Sequence, residues 1–345
     1  MRTIISILFL ITMYSGFAQE NTLNIQFNKN IDFLGYILEL GDPSDNDPNH
    51  PLTKLLKVHP EDLQNPLLGE IFTLGAEINY ATLVNLMYLL PEFPLNKNYE
   101  LSRETAIYLG YDTDEKLAVL TELIEKVNTF YLESGFESVW GTLPPFQKEV
   151  KETLWVKSPT PQLLAEMEFY YQKDFDSYLI IPSLCMFSGP GWGIQKPQTN
   201  EAVFVLGPLE KNFDFTSERF YELSIHEFGH PFANPVVLNF KDHINSSESL
   251  FSPLKEAMVP QGYRDWISCI IEHFVRAGEV IISERQGKHK TSNELLESYS
   301  KERQFIYLPY IVKQLKKYRF DQGLSYSVAV EKTLVDLQSN FVKAP

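Results

Sequence analysis

Cysteine is nearly missing from this chain: there are two among 345 residues, Cys185 and Cys269. At most one disulfide can form, so the fold cannot depend on a disulfide framework, and neither cysteine stands in a CxxC. Cations are also scarce, with 30 Lys and Arg against 45 Asp and Glu and a formal net charge of -15. Phosphate binding needs clustered Lys and Arg, so this balance argues against nucleic acid as a partner. Beyond the first residues, no stretch reaches the roughly 18 apolar residues of a membrane-spanning helix, so no membrane span is expected. There is no internal repeat and no low-complexity segment. Gly189-Pro-Gly-Trp-Gly193 is glycine-rich but lacks the Lys and the following helix of a phosphate loop.

What the chain does have begins with an export signature. Arg2, the apolar run Ile4 to Ile11 and the small residues Gly16-Phe-Ala18 read as a signal peptide over residues 1–18, which predicts a secreted or periplasmic protein. No linker is evident after it, so residues 19–345 are expected to form one unit. A largely helical N-terminal half (about 19–175) would pack against a catalytic half (about 176–345), an α+β fold. Leu23 to Leu40 alternates as strands do. Gly41 to His50 reads as a solvated turn-rich loop, whose aspartates lack the spacing of a calcium loop. Asp112 to Ser134 is the clearest helix of this half, with Asp112 and Glu115 as its cap pair and Leu117, Leu120, Ile124, Val127 and Tyr131 on one face. Further helix is predicted over Pro144–Trp155 and Pro161–Phe169. From Tyr178 the texture changes: Tyr178–Phe187 and Ala202–Leu206 read as two strands joined by the Gly189–Gly193 turn.

The chemistry is concentrated in His226-Glu227-Phe228-Gly229-His230, an HExxH. The run from Thr216 opens with capping and acidic residues and has no Pro or Gly until Gly229, as a helix start requires. One turn separates the two histidines, so both imidazoles can reach one metal ion, and Glu227, about 100° round, can reach a water on it. Tyr221, Ile225 and Phe228 form the apolar stripe, which points the histidines away from the core and into a cleft. Pro231 disfavours helix at His230, so the helix is expected to end or tighten there.

This motif resembles the zinc-binding helix of the zincin metallopeptidases, and its surroundings, about residues 175 to 285, are similar to an uncharacterised secreted bacterial branch of that group. It is not a metzincin pattern, since no third His stands six positions after His230. The resemblance implies Zn2+, a zincin-like catalytic domain with a small, mostly antiparallel sheet packed on the motif helix, and an edge strand between Phe187 and Leu206 that binds the substrate backbone.

A catalytic zinc needs a third protein ligand and an open position. His50, His59, His243 and His289 lie in solvated contexts. The predicted helix Tyr263–Arg285 offers Glu272 and His273, with an apolar arc at Ile267, Ile270, Phe274, Ala277 and Ile281. His273 borders the arc and Glu272 lies opposite it. The motif histidines themselves stand off their own stripe, which favours Glu272, and the gluzincin branch of the family also carries a Glu on a later helix. His273 remains the alternative. Arg276, one turn on, either pairs with Glu272 or, like His273 and more weakly Tyr263, donates to a developing oxyanion.

The expected function is therefore hydrolysis of a peptide or protein substrate by a metal-activated water. His226, His230 and Glu272 would hold the metal, Glu227 would be the base, and His273 and Arg276 are the further catalytic candidates. The alternatives are an exported binding or scaffold protein with a structural or vestigial metal site, and a metal hydrolase acting on a non-peptide bond. Oligomeric state is not legible.

Overall fold

The structure is a computed structural model that describes residues 22–41, 51–186, 191–195, 199–209, 215, 217 and 219–342. The segment expected to be a signal peptide, residues 42–50 with His50, and Phe187 to Pro190 lie outside the described residues. The fold is α+β: many helices around one four-stranded sheet. No helix among the described residues is long and apolar enough to cross a membrane.

The strands are β1 (Thr22–Ile25), β2 (Ser177–Pro182), β3 (Gly191–Gln195) and β4 (Glu201–Leu206), in the order β1-β2-β4-β3. The mostly antiparallel sheet expected from the sequence is not what forms: β1 and β4 both run parallel to β2, and only β3 pairs antiparallel, with β4. The physical reason is burial. β2 and β4 are buried along almost their whole length, the condition under which parallel strands with both faces covered are stable. Gly191-Trp-Gly193 belongs to β3 and not to a turn.

Several expected elements change character. Only Thr22–Ile25 is strand in the first segment; Lys29–Gly41 is a helix, and ten of its residues are buried. A helix covered on all sides loses the polar face that would reveal its period, so its sequence imitates a strand. Asn28 accepts the Ile31 N–H at its start. The helix expected at Asp112 begins at Asp114 and is capped by Thr113, whose hydroxyl accepts from Lys116 N–H; Leu120, Ile124, Val127 and Tyr131 are buried, while Leu117 is only partly so. Pro144–Lys157 and Pro161–Tyr171 run slightly past their predicted ends, and the region from Tyr307 onward forms helices Leu308–Lys316 and Tyr326–Phe341.

The motif lies on a helix, Arg219–Leu238, that contains both Pro231 and Pro235. It does not stop at His230. Each proline deletes one backbone donor, which frees the carbonyls of Glu227 and Pro231 from the helix ladder. Lys173 Nζ donates to the Pro231 carbonyl at 3.3 Å. The Glu227 carbonyl faces Gly193, where an added Cβ would stand 1.8 Å from that oxygen. With both sites accommodated, the helix runs on. It packs against β3, β4 and a partner helix, Trp266–Arg285, which starts at Asp265, whose carboxylate accepts from Ser268 N–H at 2.7 Å.

Tyr171 is wedged where these two helices cross. Its ring stacks on Phe232 with centroids 4.7 Å apart and meets Tyr170 and Tyr326 edge-on. Gly229 and Gly278 make room for it: a Cβ on them would lie 3.1 and 2.1 Å from its hydroxyl. That hydroxyl is buried without a hydrogen-bond partner. Gly278→Ala should cost about 1–3 kcal/mol of stability through overpacking. Tyr171→Phe should be near neutral, because an unpaired buried hydroxyl contributes nothing, and should restore part of the loss in the double variant. Strict additivity in denaturant unfolding would show that the wedge is not what Gly278 accommodates.

Candidate metal centre

The two helices bring His226, His230 and Glu272 together, with one potential ligand atom from each within 4.8 Å of the others. Glu272 faces both rings: Oε1 is 3.4 Å from His226 Nε2 and Oε2 is 3.7 Å from His230 Nε2. Both Nδ1 atoms are engaged on the other side. His226 Nδ1 faces Glu279 Oε2 at 3.3 Å, and His230 Nδ1 faces Asn234 Oδ1 at 3.1 Å. These acceptors at Nδ1 orient each ring so that its Nε2 faces Glu272, the side on which a metal ion would meet both imidazoles. Tyr299 donates its hydroxyl to Glu279 at 2.8 and 2.9 Å and so holds that carboxylate in turn.

Arg276 is the counter-charge. Its guanidinium nitrogen lies 2.6 Å from Glu272 Oε1, and its plane sits over the rings of Tyr299 and Phe305 at 4.2 and 4.8 Å. Burial alone would raise the Glu272 pKa, but Arg276, the two histidines and a hydrogen bond from Tyr263 outweigh it and hold the carboxyl well below the usual range. Glu227 is treated oppositely: burial and the neighbouring Glu272 push it up to about 7, against the pull of His226 and of the Gly193 N–H. Burial and His226 push His230 down to about 4. Burial would lower His226 too, yet Glu272 and Glu279 raise it above its ordinary value.

Of the sequence candidates, His226, Glu227, His230, Glu272, Arg276 and Tyr263 line one cleft of about 1210 Å³. His273 does not. It is fully buried, its Nδ1 is 2.8 Å from the Cys269 carbonyl, and its ring packs on Phe305, Trp266 and Tyr307. It is a core residue of the partner helix, neither a ligand nor a group facing the cleft. His59, His243 and His289 do not join the cluster. Cys185 and Cys269 are both buried and unpaired.

Three residues went unassigned in the sequence. Glu279 stands seven positions after Glu272, two helical turns on and on the same face, and Asn234 stands four after His230; these spacings carried the signal. Tyr299 comes from a separate segment and carried none. Tyr263, expected inside the partner helix, precedes it, because Gly262 takes a positive φ of 95° and turns the chain.

The raised Glu227 has a pH signature in the metal-free protein. Its folded value of about 7 exceeds the ordinary 4.5. Its contribution to stability is therefore fully present below about pH 4.5 and is lost as pH rises through 7. His230, depressed from 6.5 to about 4, acts in the opposite sense and loses its contribution as pH falls. Glu227→Gln removes the raised carboxyl and leaves the His230 effect in place. The stability of the variant relative to the wild type should therefore climb between pH 4.5 and 7 in denaturant titrations, and a flat difference would remove the raised carboxyl.

No curated protein and no solved structure matches the chain. One family model does, over residues 106–328, a span that contains both helices of the centre. The chain belongs to the family described as Domain of unknown function (DUF4932).

Proposed function

We propose that this protein is an exported zinc-dependent peptidase of the zincin type, with His226, His230 and Glu272 as the ligands and Glu227 as the general base. The observation that carries the reading is the spacing of the donor atoms. Zinc bound at 2.0–2.1 Å in a tetrahedron sets its ligand atoms about 3.3–3.4 Å apart. In the structure His226 Nε2 stands 3.4 Å from Glu272 Oε1 and His230 Nε2 3.7 Å from Glu272 Oε2, and one potential ligand atom from each residue lies within 4.8 Å of the others, close enough to close on one ion. The donors are two imidazole Nε2 atoms with their Nδ1 atoms hydrogen-bonded and a carboxylate held ionised, the chemistry of a zinc site whose ligands are oriented from behind. Among the described residues no fourth His, Cys, Asp or Glu completes the cluster, and the cleft opens beside it. That favours a catalytic over a structural site.

When bound, zinc would polarise a scissile carbonyl and acidify a water. Glu227 would take the proton from such a water and return it to the leaving amine nitrogen, and a carboxyl tuned near neutrality suits both tasks. Tyr263, whose hydroxyl bonds Glu272 and which lines the cleft, is the donor nearest to a developing oxyanion, while Arg276 is committed to Glu272. β3 is one of the sheet's two edge strands, its Gly193 N–H donates to Glu227, and it lines the cleft through Gly191, Trp192 and Gly193. This is the position from which a strand can take up an extended peptide.

Purified protein should carry about one zinc per chain and cut a broad peptide library, with cleavage abolished by chelator and restored by zinc. Glu227→Gln should keep the metal and lose 10²–10⁴-fold in turnover, whereas His226→Ala should lose the metal. Glu279→Gln should weaken zinc binding about 10–100-fold in chelator competition. Zinc binding at full stoichiometry with no hydrolysis of any peptide would sink the peptidase reading.

A further inference from the structure

The cleft extends well beyond the metal centre. Its second part is an apolar chamber in the N-terminal half, between helices Pro66–Gly75 and Tyr80–Leu89 and backed by the helix Lys29–Gly41. Ile71, Ile78, Leu86 and Met87 line it and are all buried. Tyr80 and Trp192, with ring centroids 5.1 Å apart, join the chamber to β3, and Gly191 and Gly193 of the same strand approach Glu227. The chamber is open space at Gly75: a Cβ there would meet a single neighbour, Leu83 Cδ1, at 4.0 Å. Gly75 is half-buried and Ala76 and Asn79 beside it are exposed, so the chamber opens to solvent at this end while its inner wall offers apolar surface for a side chain to bury.

We infer that this chamber is the specificity pocket of the enzyme, which selects peptides by a bulky apolar side chain (Leu, Met or Phe) close to the scissile bond. The inference rests on the peptidase reading and deepens it. Its physical basis is continuity. A peptide laid along β3 has its backbone beside Glu227, and side chains alternate across an extended strand. Residues of one parity would thus be presented to the wall that Trp192 shares with Tyr80. The chamber walls carry few groups able to solvate a charged side chain, so Asp, Glu, Lys and Arg are disfavoured there by desolvation.

The experiment has a turnover arm and a binding arm. In the first, zinc-loaded protein digests a peptide library of equal composition. Cleavage should concentrate next to Leu, Met and Phe, at least tenfold over Ala and Asp, in line with about 10–200-fold discrimination by apolar pockets. Gly75→Phe places a ring in the chamber and should cut that preference at least tenfold. Zinc content per chain serves as the check that each variant has folded. In the second arm, Glu227→Gln protein is titrated with fluorescent peptides that differ only in carrying Leu, Phe or Gly at the preferred position. The Leu and Phe peptides should bind at least tenfold tighter, and the added Gly75→Phe change should erase the difference. Unselective binding, or selectivity that survives Gly75→Phe, overturns the pocket assignment. If selective binding that Gly75→Phe erases accompanies a wild type that cuts no peptide, the peptidase reading fails and the pocket stands.

Discussion

The demand that organises this molecule is the burial of several ionisable side chains at one helix crossing. Glu272 is almost fully enclosed, and an unpaired carboxylate there would be prohibitively costly. It is tolerated because positive and polar partners surround it: Arg276 behind, two imidazoles in front and the Tyr263 hydroxyl beside it. Those partners are anchored in their turn. Rings flank Arg276, Glu279 and Asn234 hold the imidazoles, and Tyr299 holds Glu279. Removing any outer member therefore loosens an inner one, which is the sense in which the site is a network and not a list of ligands.

Backbone chemistry delivers these side chains to one place. Two prolines inside the motif helix release two carbonyls, and the fold uses both. One comes up against Gly193 of β3, the other accepts from Lys173 at the end of the preceding helical segment. Glycines do the complementary work. Gly193 admits the motif helix to the sheet edge, and Gly229 and Gly278 admit the Tyr171 ring between the helices. The centre is thus fixed to the sheet on one side and to the helical half on the other.

Much of the centre was readable in the chain because short helical spacings encode it. An i, i+4 pair of histidines with a carboxylate between them is a local signal, and Glu272 followed from asking which residue stands off the apolar stripe as the histidines do. The same wheel could not exclude His273, since the partner helix is buried on nearly every side and its apolar arc marks no single inward face. The sheet was misjudged for a related reason. Strands buried as fully as β2 and β4 carry no alternation, so their sequences do not report the direction of their neighbours. Lys29–Gly41 failed in the same way, a helix mistaken for strand because it has no wet face. Tyr299 and the chamber between the first helices depend on contacts between distant segments, which no window of sequence contains.

The pairing of β1 with β2 sets Thr22 opposite Ser177 and Ile25 opposite Ile180. The whole helical excursion between them is therefore a crossover that leaves the sheet and returns to it one strand away. A wall tied down at its entrance and its exit resists swinging outward on a single tether, so the space it encloses keeps its width. The same topology orders assembly. This strand pair gains nothing until a very long loop has closed, and the entropy of that closure places its formation late, after the intervening helices have condensed into a compact body.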